Sequence, residues 1–400
     1  MTKHQVLILG GGTAGITVAA RLKRADRDLD VAVVDPAKDH WYQPLWTLVG
    51  AGVTDVEETR RDEAKVMPKG VTWIQEAVAS IDADGREVTL ANGETVGYEQ
   101  LVVGLGIEYD WDAVDGLRDA VGHDGVVSNY TPEYAQATWR ELQAWTGGRM
   151  LFTAPAGQIK CGGAPQKIMY LAEDYARKHG LRDQTEIVGA FAGTVMLGVP
   201  EINETLNGIV ASRDIDMRFH HELVAVDADA KEAVFRTTGD PDSERIRIGY
   251  DLLHVVPPMR APAPVRDSDL AVVEGPHAGF ADVDHATMQH VRYPDVFALG
   301  DVAALPTAKT GAAVRKQAPV LVDHLLAHRA GRASDKAYAG YSSCPLVTGY
   351  GSLVLAEFEY GNTYKPTFPI DQTKERWDMY MLKRHLLPQM YWHGMLRGLA

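Results

Sequence analysis

Few residues in this 400-residue chain have both the type and the spacing for chemistry. Gly10-Gly11-Gly12-Thr13-Ala14-Gly15 follows the apolar run Val6–Leu9 at once, and Asp35 closes a second apolar run, Val31–Val34. Glycines so spaced between strand and helix, with an acid some twenty residues further on, suit a dinucleotide. Gly10 permits the tight turn, Gly12 lets the backbone approach a pyrophosphate, and Gly15 lets the helix pack close on the strand. The helix N-terminus offers unpaired N–H groups and a partial positive charge to the phosphates. Asp35 would accept hydrogen bonds from the adenosine ribose. A second acid, Asp301, ends the apolar run Val296–Leu299, at the strand end where α/β sheets bind ligands. Taken alone, Asp301 also reads as a helix N-cap; coupled with the glycine turn, it suits the ribityl chain of a flavin. Cys161 and Cys344 are the entire cysteine complement, too few for a disulfide scaffold. A single cysteine is ordinarily a buried small hydrophobe, so any further role for these two is chemical.

These residues need elements to hold them. Val6–Leu9, a helix from Ile16 to about Arg24, and Val31–Val34 make the first βαβ unit. The aromatic stretch Asp39–Trp46 reads as a loop over the cofactor or as a satellite packing cluster. Val71–Ile81 and Glu87–Leu90 read as strands, with Asn92-Gly93 as a hairpin turn. Leu101–Val103 is another buried strand. A second α/β unit follows: strand Met150–Thr153, helix Ile168–Lys178 with Pro165 near its start, strand Glu186–Phe191 and helix Ile202–Ala211. Asp216–Arg236 reads as two strands joined by a polar turn, and Leu252–Val256 as a returning strand. A helix from Gly311 to Arg329 follows Asp301. The turn Pro155–Ala164 stands where a nicotinamide cofactor would need its own glycine fingerprint; that fingerprint is absent, and Cys161 is there instead. Lys160, Lys167 and the helix N-terminus just downstream should all lower the Cys161 thiol pKa. Cys344 precedes Pro345 in a polar stretch, which suggests a loop near the surface.

Composition sets the outer limits. Hydrophobic content of 46% and charged content of 24% are those of an ordinary globular protein, and the length allows two or three domains. A formal charge of −14 argues against a general nucleic-acid binder, which needs a basic face. No apolar run approaches the roughly 18 to 20 residues of a spanning helix. The first strand begins within a few residues, so no signal or transit peptide is expected. Against this acidic background the segments Trp377–Pro388 and Met390–Arg397 mix Met, Trp and Leu with Lys and Arg. That pattern fits a contact with anionic lipid and, on the other reading, a helix docked on the protein's own core.

The glycine turn with Asp35, together with Phe297–Asp301, resembles the two-domain disulfide-reductase-type flavoproteins. Three longer motifs narrow the resemblance: Trp41–Gly52, Lys160–Leu171 and Tyr341–Tyr350 are similar to those of sulfide:quinone oxidoreductases of the two-cysteine type. Asp371–Arg376 and Met395–Gly398 extend it over essentially the whole chain. The resemblance implies an α/β fold with two Rossmann-like domains. The first is an FAD-binding domain (1–115 and 285–335) and the second, without a nicotinamide fingerprint, spans 116–284. A C-terminal membrane and quinone-contact segment (336–400) completes the chain. It implies one non-covalent FAD and no metal, with cofactor contacts at Gly10, Gly12, Thr13, Ala14, Gly15, Asp35, Gln43, Val78, Asp301 and Lys309. It implies a redox pair of Cys161 and Cys344, with sulfide attacking Cys344 while Cys161 leaves as thiolate and passes electrons to the flavin. The electron acceptor would be ubiquinone or another quinone, with Tyr350, Phe358 and Tyr360 as candidate contacts. Glutathione, sulfite or more sulfide would remove the sulfane sulfur. The expected location is peripheral, on the inner face of a bacterial cytoplasmic membrane or its mitochondrial equivalent, and a homo-oligomer is left open.

Three other readings compete. A type II NADH:quinone oxidoreductase shares the fold but needs the second glycine fingerprint. A flavocytochrome-type sulfide dehydrogenase would pass electrons to a haem subunit in an exported compartment. A non-catalytic flavin-binding redox sensor would use the cysteine pair for signalling.

Overall fold

The protein is described by a computed structural model covering residues 2–400. In the N-terminal part the elements are β1 (Thr2–Leu9), α1 (Thr13–Ala25), β2 (Val31–Val34), β3 (Val71–Ile74), β4 (Val78–Asp82), β5 (Glu87–Leu90) and β6 (Thr95–Val103). Val6 to Leu9 and Val31 to Val34 are all buried, because helices and strands cover both faces of this parallel centre. β1 runs parallel to β2, with Val6 opposite Val31, and parallel to β6, with Leu7 opposite Leu101. β3 adds to β2 in parallel, while β4, β5 and β6 form an antiparallel run. The stretch expected as one strand, Val71–Ile81, is thus two, β3 and β4, lying at opposite edges of the sheet.

The second sheet has five parallel strands in the order β7 (Val126–Val127), β11 (Leu252–His254), β8 (Gly148–Ala154), β9 (Thr185–Phe191) and β10 (Asp216–Arg218). Between them lie α2 (Ala164–Lys178), with Pro165 in its first turn, and α3 (Pro200–Ser212). Asp216–Arg236, expected as two strands, holds three. Asp216–Arg218 completes this sheet, whereas His221–Asp227 pairs with Glu232–Thr237 in a separate antiparallel ribbon. The two roles are not separable from residue type alone, because both segments alternate in the same way.

The chain then returns to the first sheet. β12 (Val296–Ala298) joins β6 in parallel, with Phe297 opposite Val102, to make seven strands. α4 (Gly311–Arg329) follows, capped by the Thr310 hydroxyl, which accepts from the Ala313 N–H. An antiparallel ribbon of β13 (Ser342–Gly349) and β14 (Ser352–Glu359) packs against α2. The chain ends in a helical segment, Trp377–Arg397, with two π-helical turns. One side of it buries Met379, Tyr380, Tyr391, Trp392, Met395 and Leu396 in the main core, so it docks as a helix of the protein's own. The same segment leaves Trp377 65% and Leu386 59% exposed.

Candidate active site

Three chain turns meet at one place. The first is the β1–α1 turn. Gly10 has φ +97°, and a Cβ on Gly15 would sit 1.8 Å from the Gly10 carbonyl oxygen, so neither position admits a side chain. A Cβ on Gly12, in contrast, would meet nothing within 4 Å, leaving an open approach to the backbone at the start of α1. Asp35 ends β2 beside this turn and accepts from the Gly11 and Ala37 N–H groups. This turn, with its open glycine and its acid, fits the adenosine diphosphate half of FAD.

The second turn follows β12. Asp301 lies in a single 3-10 turn, Gly300–Val302, and caps no helix; Thr310 has that role for α4. Its carboxylate is faced by Lys160 and Lys309, which offset part of the upward pull of burial on its pKa. Burial lowers both lysines to about 8. The Lys309 ammonium donates to the backbone oxygens of Asp301, at 2.6 Å, and Ala303, at 3.1 Å. Val78 opens β4 at the far edge of the first sheet, and its flank packs on the core.

The third turn carries Cys161. Its N–H donates to the Lys309 carbonyl at 2.8 Å, and Cys161 adopts φ +54°, a left-handed conformation uncommon for a residue with a side chain. The Sγ atoms of Cys161 and Cys344 are 3.9 Å apart, across 183 positions of sequence, and both cysteines are free. Cys344 is not in a surface loop: it sits inside β13, opposite Ala356, and is 2% exposed. β13 is the outer strand of its ribbon, which is why Pro345 is tolerated there without costing a ladder hydrogen bond.

The charges around the sulfurs differ from the sequence expectation in one respect. Lys167 Nζ lies 3.1 Å from the Cys161 sulfur and is 3% exposed, whereas the Lys160 ammonium turns away to the Gln43 side-chain oxygen and the Tyr109 ring. Cys161 is held well below the usual thiol range, first by its hydrogen bond from Cys344 and then by the Lys167 ammonium, against burial. Cys344 is pushed well above it by giving that hydrogen bond and by burial. The pair is therefore polarised, one sulfur a ready thiolate and the other a retained thiol.

Sequence reasoning missed Lys383. It comes from the C-terminal helical segment, is 3% exposed, and donates to the Pro44 carbonyl at 2.9 Å. Burial first, and repulsion from Lys167 second, bring its pKa down to about 7. Among the alternating Met, Leu, Lys and Arg of that segment, nothing marks this lysine as the inward one. The three aromatic residues expected to contact quinone do not converge. Tyr350 lies at the turn between β13 and β14, donating to the Ala51 carbonyl, while Phe358 and Tyr360 lie at the far end of β14. At about 3.3 Å per residue, that strand separates them by roughly 25 Å. A surface depression of about 1600 Å³ at the start of β8 and β9, among Arg149, Asp183 and Lys231, is lined by no cysteine.

A model of the pyridine nucleotide-disulphide oxidoreductase family matches residues 4–133. Over 395 residues the chain is 42% identical to the mitochondrial sulfide:quinone oxidoreductase of Mus musculus, spanning 99% of this chain and 87% of that protein. It is 40% identical over 396 residues to the mitochondrial sulfide:quinone oxidoreductase of Dictyostelium discoideum, spanning 98% and 86% respectively. The X-ray structure of the sulfide:quinone oxidoreductase from Aquifex aeolicus superposes with a TM-score of 0.81 at 19% identity, over 99% of this chain and 92% of that one, a likeness of fold.

Proposed function

The chain belongs to the sulfide:quinone oxidoreductase family, and from that premise we propose that it oxidises sulfide at Cys161 and Cys344 and delivers two electrons through FAD to a quinone. The observation that carries the reading is the close sulfur pair beside Lys167 and next to the Asp301–Lys309 turn.

In the resting enzyme the two sulfurs are joined. Hydrosulfide attacks the Cys344 sulfur; the new S–S bond makes a persulfide there, and the old one breaks as Cys161 leaves. Lys167, 3.1 Å from the Cys161 sulfur, makes Cys161 the better leaving group, and exchange is faster when the leaving sulfur has the lower pKa, which favours attack on Cys344. Lys167 stabilises the departing thiolate. A small nucleophile such as glutathione, sulfite or sulfide then takes the sulfane sulfur and leaves the Cys344 thiolate. FAD, when bound, would supply the two-electron acceptor that lets the two thiolates rejoin, and the link onward to quinone. Gly10, Gly12, Thr13, Ala14, Gly15 and Asp35 would hold its diphosphate and adenosine end, with Val78, just past the Ile74 carbonyl that accepts from the Asp35 N–H, on the adenosine side and Gln43, Asp301 and Lys309 toward the flavin end. Residues 1–115 with 285–335 form the FAD domain in this reading, 116–284 the second domain and 336–400 the membrane segment.

No described helix is long and apolar enough to cross a membrane. The exposed Trp377 and Leu386 on the C-terminal segment suit a peripheral contact at the headgroup level, where a quinone is reached. We place that contact on the inner face of a bacterial cytoplasmic membrane or its mitochondrial equivalent. The test is sulfide-dependent reduction of a soluble quinone. Cys161→Ser and Cys344→Ser should each lower turnover by at least about a thousandfold, as loss of a covalent catalyst does. Turnover near that of the parent enzyme in either variant would refute the pair.

A further inference from the structure

A buried chain of hydrogen bonds outside the sulfur site ends on the cofactor turn. Glu63 Oε2 lies 3.0 Å from His40 Nδ1, His40 Nε2 lies 2.5 Å from the Tyr391 hydroxyl, and that hydroxyl lies 2.8 Å from Thr13 Oγ1. Glu63, His40 and Tyr391 are 1%, 3% and 3% exposed. Thr13 is the first residue of α1, next to the open Gly12. The other Glu63 oxygen is buried without a partner, so His40 is the carboxylate's one donor. Burial raises the Glu63 pKa, opposed by His40, with Asp35 and Asp62 adding negative charge. Burial pushes the Tyr391 phenol far up beside Tyr42, so it keeps its single proton. Arg61, packed over the Trp392 ring, is the remaining charged group against this cluster.

The hydrogens can be counted. When the His40–Glu63 pair holds one proton, it sits between Nδ1 and the carboxylate, and Nε2 must accept. Tyr391 then donates to His40, and Thr13 must donate to Tyr391. When the pair holds two protons, Nε2–H donates to Tyr391, Tyr391 donates to Thr13, and the Thr13 proton is free to point out of the chain. With FAD in the Gly10–Gly15 turn, the group meeting Thr13 from outside would be the anionic diphosphate, which accepts hydrogen bonds only.

We propose that Tyr391, His40 and Glu63 are positioning residues for FAD: through this chain, a proton on the His40–Glu63 pair turns the Thr13 hydroxyl toward the diphosphate. Cofactor binding is thereby linked to uptake of one proton and to docking of the C-terminal segment, which supplies Tyr391. The inference rests on FAD occupying the Gly10–Gly15 turn. Failure of that reading would appear as protein without flavin, whereas failure of this one would appear as a flat pH dependence.

The experiment is serial dilution of the holoenzyme from about pH 5.5 to 9, a span around the imidazole range. Freed flavin fluorescence at equilibrium gives Kd. The expected Kd rises with pH, by at most about tenfold per unit, the ceiling for one linked proton. Tyr391→Phe and His40→Gln should each flatten the profile, and Tyr42→Phe, in the same aromatic cluster, should keep the parent slope. Thr13→Val should weaken binding about tenfold at the acid end of the range, the scale of one charged hydrogen bond, to a Kd independent of pH. A parent Kd that does not change with pH overturns the proposal, as does a parent-like slope in Tyr391→Phe or His40→Gln. If those two variants fail to hold flavin, a parent-like slope in Thr13→Val overturns it and a flat one supports it.

Discussion

Lys167 adds to the hydrogen bond from Cys344 in holding Cys161 as the thiolate of the pair. Its ammonium is the nearest cation to Cys161, and the Cys161 backbone is pinned by Lys309, so the sulfur cannot drift from it. Lys167→Met should raise the Cys161 pKa, moving the pH midpoint of thiolate absorbance in the reduced enzyme upward by at least about one unit. An unchanged midpoint would assign the polarisation to Cys344 alone. Lys383 makes a second prediction with a definite sign. Its folded pKa of about 7 lies below the roughly 10.4 of an exposed lysine, so the unfolded chain binds more protons between those values. Stability from this group therefore rises as pH rises from 7 toward 10, and below about 7, where both states hold the proton, it stays flat at its lowest. Lys383→Met should remove that slope and leave the protein more stable than the parent at pH 6, read as a higher Tm. At this scale the sequence was legible where composition is sparse: two cysteines in 400 residues mark themselves. Lys383, His40 and Tyr391 did not, because a residue's burial depends on how distant elements pack.

At the scale of elements, the β1–α1 turn separates two kinds of glycine. Gly15 has the Gly10 carbonyl where its Cβ would go, and Gly12 has open space with an ordinary negative φ of −72°. Gly15→Ala should lower Tm and soluble yield together. Gly12→Ala should fold with the Tm of flavin-free parent protein yet bind FAD at least about tenfold more weakly, since the added methyl would stand in the approach to the diphosphate. Equal FAD affinity in Gly12→Ala would mean that the cofactor lies elsewhere. The regular elements were read well from sequence: α4 runs from Gly311 to Arg329, the bounds expected for the helix after Asp301. Cys344 was misplaced because Ser-Ser-Cys-Pro resembles a loop in composition, while its burial comes from α2 packing across β13. Asp216–Arg236 was undercounted because the change of sheet after Arg218 is a tertiary event with no local residue signature.

For the whole molecule, the account joins three devices: a sulfur pair, a dinucleotide turn and a C-terminal segment that docks on the core and leaves Trp377 and Leu386 exposed. Replacing these two, Trp377→Ser with Leu386→Asp, should reduce sedimentation with anionic vesicles and slow turnover with a long-chain quinone. Flavin reduction by sulfide should be unaffected. The central claim is narrower than this assembly: electrons from sulfide reach the flavin only through both sulfurs. Anaerobic mixing of sulfide with the holoenzyme, followed by flavin absorbance near 450 nm, tests it without quinone or membrane. The account predicts full bleaching of the parent flavin within the turnover time and none on that timescale in Cys344→Ser, where there is no sulfur–sulfur bond to attack. Bleaching of Cys344→Ser at the parent rate would contradict it.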